Sequence, residues 1–156
     1  CLAQLVNVIA PIFTEPGKGA YRQAIYWPFR DISVYGRGTT LKPVVKSEMK
    51  VTEKYGEVPA VIFAAVLSED QTELSVFALN TNKTESSETT IDLSSFTKTE
   101  MFYRTEMYGN DLSATNTLEE PNKVQNVNAP VAAPDHNIYT VDLKPASWNV
   151  MRFKVL

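Results

Sequence analysis

The side chains with the greatest chemical reach crowd into residues 17–27, where Tyr21, Arg22, Gln23, Tyr26 and Trp27 follow a glycine-bearing loop. Aromatic faces pack against the C–H surfaces of sugars, while guanidinium and amide groups hydrogen-bond hydroxyls. Gln23 can both donate and accept, which suits an uncharged polyol. The same residues can instead anchor the loop against a following helix, and residue types alone leave both roles open.

Adjacent acids occur at Glu69 with Asp70, Glu85 with Glu88, and Glu119 with Glu120. Each pair lies in a polar turn where water solvates both charges. A carboxyl that works as a general acid needs burial to raise its pKa, so these read as solvated loop acids. The chain has no G-x-S-x-G elbow, phosphate-binding glycine loop, histidine pair or dinucleotide fingerprint. Its single cysteine, Cys1, allows no internal disulfide and no cysteine zinc site, and fits a reducing, cytoplasmic compartment. His136, the only histidine, follows Pro134 and Asp135 and reads as a loop residue. No metal and no cofactor is expected.

A net charge of −3 and a pI near 5.2 argue against a nucleic-acid partner, which needs a basic surplus on one face. Lys42, Lys46, Lys50 and Lys54 do recur, but Glu48, Glu53 and Glu57 interleave with them as a solvated mixed face. No run approaches the roughly 18 apolar residues of a membrane span. With 156 residues and 44% hydrophobic content, there is material for one core and little more.

Two textures divide the chain. Leu2, Leu5, Val6 and Ile9 fall at i, i+3, i+4 and i+7, the buried stripe of a helix. An apolar run at 8–13 follows, then the loop, then a short helix opened by Pro28, with Phe29, Ile32 and Tyr35 facing inward and Gly36 as its stop. Helix, strand, loop and helix is the order of a β/α barrel unit. Residues 1–38 are therefore expected to be the C-terminal fragment of a (β/α)8 barrel whose other units lie upstream. Left in water, each large apolar side chain of that fragment forfeits about 1.5–3 kcal/mol of burial. The fragment is accordingly expected to fold back on the remainder or pack against another copy.

Residues 39–156 read as β. Strands are expected at 39–45 (interrupted by Pro43), 60–67, 74–79, 89–93, 102–108, 138–143 and 148–155, with a long connection over 116–134. Ile91 with Leu93, Tyr139 with Val141 and Leu143, and Met151 with Phe153 and Val155 each share one face of a strand. The fold class is mainly β: an antiparallel, jelly-roll-like β-sandwich preceded by the barrel fragment.

The segment AQLVNVIAPIFTEPGKGAYRQAIYWPF followed by VYGRG closely resembles the end of the catalytic barrel in α-L-arabinofuranosidases of glycoside hydrolase family 51. DLSATNTLEEPNKV and VDLKPASWNVMRF resemble the last strands of that family's C-terminal β-domain. The resemblance implies a retaining enzyme that removes terminal α-L-arabinofuranosyl groups from arabinan- and arabinoxylan-type glycans. Two glutamates about 5 Å apart serve such a reaction. In the family both stand on upstream barrel strands, so none of this chain's acids is catalytic. What carries over by this resemblance is the glutamine of the aromatic-Arg-Gln tripeptide, here Gln23, which would contact the bound sugar as its counterpart does in the family. Tyr21 stands where the family usually has tryptophan and would wall the pocket.

The implied partners are an arabinose-containing oligo- or polysaccharide, reached through the parent enzyme, and the missing barrel; association into a homo-oligomer is a further option. Two rivals from other classes are a carbohydrate-binding module displaying Tyr103, Tyr108 or Trp148, and a purely structural or assembly domain. An inward-facing Tyr103 and Trp148 would count against the module.

Overall fold

A computed structural model describes residues 4–156. Its first elements are β1 (Ile12–Glu15), β2 (Gly19–Arg22), α1 (Tyr26–Tyr35) and β3 (Thr39–Leu41). They are followed by β4 (Met49–Thr52), β5 (Gly56–Pro59), β6 (Val61–Leu67) and β7 (Glu73–Asn80). The last are β8 (Ser87–Asp92), β9 (Thr99–Met107), β10 (Val127–Asn128), β11 (Ile138–Leu143) and β12 (Ser147–Val155).

A six-stranded sheet in the order β10-β9-β12-β7-β6-β3 is the backbone of the molecule, and each neighbouring pair is antiparallel. One face buries Leu74, Val76, Met101, Met151 and Phe153 against Ile91, Leu93, Tyr139, Val141 and Leu143. Ile91 comes from β8 and Tyr139, Val141 and Leu143 from β11, which pair as a second, two-stranded sheet. The result is an antiparallel β-sandwich. Strict alternation of buried and exposed residues along β11 follows from the two-residue strand period. Tyr139 is fully buried, edge-on to Phe153 at 4.9 Å, with its hydroxyl 3.0 Å from Thr99 Oγ1. A buried phenol needs such a partner.

The opposite face of the large sheet carries Val66, Phe77 and Val150, packed with Tyr103 and Trp148 of the same sheet and with Tyr35 of α1. Central strands buried on both faces lose the alternating pattern, as β7 does over Leu74, Ser75, Val76, Phe77 and Ala78. In β9 the register against β12 shifts between Arg152 and Phe153, so that Arg152 faces Tyr103 and Phe153 faces Met101. This bulge at Phe102 sends Met101 to the inner core and Tyr103 to the opposite face.

The opening residues depart from the expected barrel unit, which is not visible as helix, strand and helix. Leu2 lies outside the described residues; 4–11 are not helical, and Leu5, Val8 and Ile9 are exposed. Asn7 and Val8 hold φ of 60° and 56°, which no right-handed helix tolerates. Asn7 instead ties the chain back on itself, its Oδ1 accepting Thr14 N–H at 2.7 Å. The apolar run at 8–13 becomes β1 only from Ile12, in an antiparallel hairpin with β2. A single parallel bridge, Val6 to Ile12, precedes it. A barrel strand requires parallel neighbours, and among the described residues the nearest partner is the segment just beyond a tight turn.

The short helix ends where expected, but it begins at Tyr26, which leaves Pro28 inside the first turn, where its missing N–H is harmless. Of its expected inward face only Tyr35 packs against the sheet. Phe29 and Ile32 point to solvent while Asp31 is fully buried. Gly36 is needed for room rather than for handedness: its φ is −94°, and a Cβ would lie 2.5 Å from the Ile32 carbonyl oxygen. Gly38 is needed for both, with φ of +131° and the Leu67 carbonyl where a Cβ would go.

The remaining differences are local. The strand expected at 39–45 stops at Leu41, because Pro43 has no N–H for the ladder. Hairpin β4–β5 went unforeseen: its Lys50, Glu57 and Thr52 mask a short, largely exposed pairing.

Candidate functional site

The β1–β2 hairpin carries Tyr21 and Arg22 and leads directly into Gln23. Its register sets Phe13 opposite Tyr21 and Ile12 opposite Arg22. Phe13 and Tyr21 rings lie 5.2 Å apart, and Tyr21, Arg22 and Tyr26 join Ile12 and Ala20 around a shallow depression of about 280 Å³. Tyr21 thus walls a concavity. Gln23 is not among its lining residues; it leaves β2 and turns back toward the start of the hairpin.

Gln23 is held by backbone and side chain alike. Its N–H donates to Pro11 O at 2.8 Å, and Nε2 donates to Ala10 O at 2.7 Å. Its own carbonyl accepts Tyr26 N–H at 2.9 Å, which starts the turn into α1. With one amide hydrogen on Ala10, Oε1 and the second amide hydrogen retain capacity for hydroxyls. Arg22 stays over the rings of Trp27 and Tyr26, at 4.9 and 5.5 Å. It is a cation–π brace for the loop.

The long connection 116–126 packs behind this hairpin. Buried Asn116 donates from Nδ2 to Arg22 O and to Val124 O, each at 2.8 Å, and accepts Val124 N–H at 2.6 Å. Trp27 Nε1 donates to Val124 O at 3.2 Å. Farther along α1, Asp31 accepts from Asn126 Nδ2 at 2.7 Å, Trp148 Nε1 at 2.9 Å and Arg30 Nη1 at 2.9 Å. These donors fully pair a carboxylate that has no access to water.

Neither Asn116 nor Asp31 figured among the residues read as functional from sequence. Asp31 carried a usable signal, an acid between Phe29 and Ile32 in an apolar helix. Asn116, one of several asparagines in a polar stretch, carried none.

The paired acids lie apart from this hairpin: Glu69 with Asp70 and Glu119 with Glu120 stand in loops, whereas Glu88 is not in a turn as expected but on β8, exposed and opposite Asp142 of β11. Every carboxyl shift resolved among the described residues is downward: the hydroxyls of Ser68, Ser94 and Ser113 hold Asp70, Asp92 and Asp111 below the usual range. For these three aspartates the direction is opposite to that a general acid needs. His136 is exposed in a left-handed turn with Asn137, and no cluster of three or more metal-ligating side chains occurs among the described residues. No described helix is long and apolar enough to cross a membrane. A larger groove of about 1200 Å³ opens between the two sheets, beside β8 and residues 42–48. Its lining includes Val61, Leu74 and Ile91 of the core, and none of the hairpin residues.

The chain is similar to proteins of established activity along nearly its whole length. A sequence model of the alpha-L-arabinofuranosidase C-terminal domain matches residues 1–147. An intracellular exo-alpha-(1->5)-L-arabinofuranosidase of Bacillus subtilis is 40% identical over 154 residues, covering 99% of this chain and 30% of that protein. Its counterpart from Streptomyces lividans is 41% identical, covering 97% of this chain and 23% of that protein. Among solved structures, a family 51 alpha-L-arabinofuranosidase of Bifidobacterium longum superposes with a TM-score of 0.90 at 32% identity. That superposition covers 97% of this chain and 30% of the larger one. The chain thus spans less than a third of these relatives, and it belongs to the C-terminal domain family of the α-L-arabinofuranosidases of glycoside hydrolase family 51.

Proposed function

We propose that this chain is the C-terminal part of a retaining α-L-arabinofuranosidase that hydrolyses terminal α-L-arabinofuranosyl residues of arabinan- and arabinoxylan-type glycans. In this reading residues 1–38 end the catalytic barrel and residues 39–156 form the sandwich behind it. Both catalytic glutamates come from the barrel, and the 156-residue chain alone is inactive. Gln23 hydrogen-bonds the sugar at the cleavage point, and Tyr21 walls the pocket. The parent works in the cytoplasm, in line with the relatives named intracellular.

The observation that carries the reading is the presentation of Gln23. Its backbone and one amide hydrogen are fixed at Pro11 and Ala10, leaving hydrogen-bonding capacity on an amide whose orientation is preset. The unpartnered apolar side chains Leu5, Val8 and Ile9, with Ile25 just before α1 and Phe29 and Ile32 on it, supply a surface for the barrel. The binding-module rival is less well supported, because Tyr103 and Trp148 pack beneath α1 and of the three named aromatics only Tyr108 is exposed.

The test is hydrolysis of 4-nitrophenyl α-L-arabinofuranoside by the purified chain and by the same chain continuous with its barrel. Turnover is expected only in the second protein. Steady turnover by the 156-residue chain would overturn the assignment of both glutamates to the barrel.

A further inference from the structure

We infer that Asn116, from the β-sandwich, is a positioning residue for the substrate contact at Gln23. The inference rests on the reading of Gln23 given above. Asn116 touches no reacting atom; it acts through the carbonyl of Arg22, the residue immediately before Gln23. That carbonyl is held from the sandwich side at 2.8 Å, and Gln23 N–H is held from the hairpin side by Pro11 at 2.8 Å. The peptide unit between Arg22 and Gln23 is therefore fixed at its oxygen and at its nitrogen, by two different parts of the molecule.

The clamp is itself rigid. Asn116 is only 4% exposed, and its side chain also closes the 116–124 loop by donating to Val124 O and accepting Val124 N–H. Val124 O receives a second hydrogen bond from Trp27, whose ring lies beneath the Arg22 guanidinium. Both amide hydrogens of Asn116 are used, so its side chain cannot rotate without breaking a buried bond. A sandwich that otherwise only supports the barrel thereby reaches the geometry of the sugar pocket, where displacements of an ångström matter.

The experiment uses the full enzyme carrying the barrel, with 4-nitrophenyl α-L-arabinofuranoside, and compares Gln23→Ala, Asn116→Ala and the double variant. Expected is a loss in kcat/KM of about tenfold or more for each single variant. The double variant should be no worse than about twofold below Gln23→Ala, because Asn116 acts only through the side chain already removed. A purely structural Asn116 would give additive losses, and that result overturns the inference. So does an unchanged kcat/KM for Asn116→Ala beside an impaired Gln23→Ala, which leaves the sugar contact standing. An unchanged Gln23→Ala removes the contact itself and the inference with it. Should Asn116→Ala fail to fold, Trp27→Phe decides: it removes the other donor to Val124 O and keeps an aromatic ring under Arg22. Its loss should be about threefold and should vanish in the Gln23→Ala background; no loss, or an additive one, overturns the inference.

Discussion

Trp148 Nε1 donates to Asp31 Oδ2 across 2.9 Å, joining the last strand to a helix 117 residues earlier in the chain. The bond sits at the centre of the sheet face covered by α1, where Trp148 also stacks on Phe77 at 5.8 Å. Asp31 is the fixed point of that packing: a fully buried carboxylate is tolerable only with its donors in place.

Replacing Asp31 by Ala should destabilise the chain by about 2–4 kcal/mol, since Trp148 and Asn126 are left with buried, unpaired donors. Trp148→Phe keeps the stacked ring and should cost less, about 1–2 kcal/mol. Urea unfolding of both variants and the double variant checks this. The two effects should be markedly less than additive, as expected for groups that share one bond.

The exposed stripe predicts an opposite pattern. Ile32 is 51% exposed on α1, so Ile32→Ser in this chain should shift stability by no more than about 0.5 kcal/mol. In the protein that carries the barrel, the same change should destabilise by about 1–3 kcal/mol if the barrel covers this face. Paired denaturation curves distinguish the two settings.

Acidity should act on the turns. Asp70, Asp92 and Asp111 are each held below the usual carboxyl range by the hydroxyls of Ser68, Ser94 and Ser113. A carboxyl depressed in the fold stabilises it above the unfolded pKa of about 3.9, and that contribution is lost as pH falls through the folded value. The Asp70→Asn, Asp92→Asn, Asp111→Asn triple variant should therefore melt below the wild type at pH 7, and the gap should close on acidification below the usual carboxyl range. A gap independent of pH would contradict the assignment.

Gly38 offers a backbone test. Alanine there must adopt φ of +131° and meet the Leu67 carbonyl, so Gly38→Ala should cost about 1–3 kcal/mol by thermal unfolding.

How far these features could be read from residues alone depended on what set them. The strands around Val61–Leu67, Ile138–Leu143 and Ser147–Val155 announced themselves, because their side chains alternate or run apolar against a core within the chain. The helical stripe at Leu5, Val6 and Ile9 misled for the complementary reason: periodicity records a face that must be buried, and these described residues have no neighbour to bury them. The same logic holds at α1, whose apolar Phe29 and Ile32 face outward while its acid faces in. At the candidate site, Tyr21 and Gln23 stood out by residue type. Their scaffold did not, because Asn116 and Asn126 owe their role to contacts 94 and 95 positions distant in sequence.

The most direct measurement of the central claim is the sugar contact. In the barrel-bearing enzyme, Gln23→Ala should lower kcat/KM for 4-nitrophenyl α-L-arabinofuranoside by about ten- to a hundredfold, with the unfolding midpoint little changed. Unaltered kcat/KM in a folded Gln23→Ala enzyme would contradict the account.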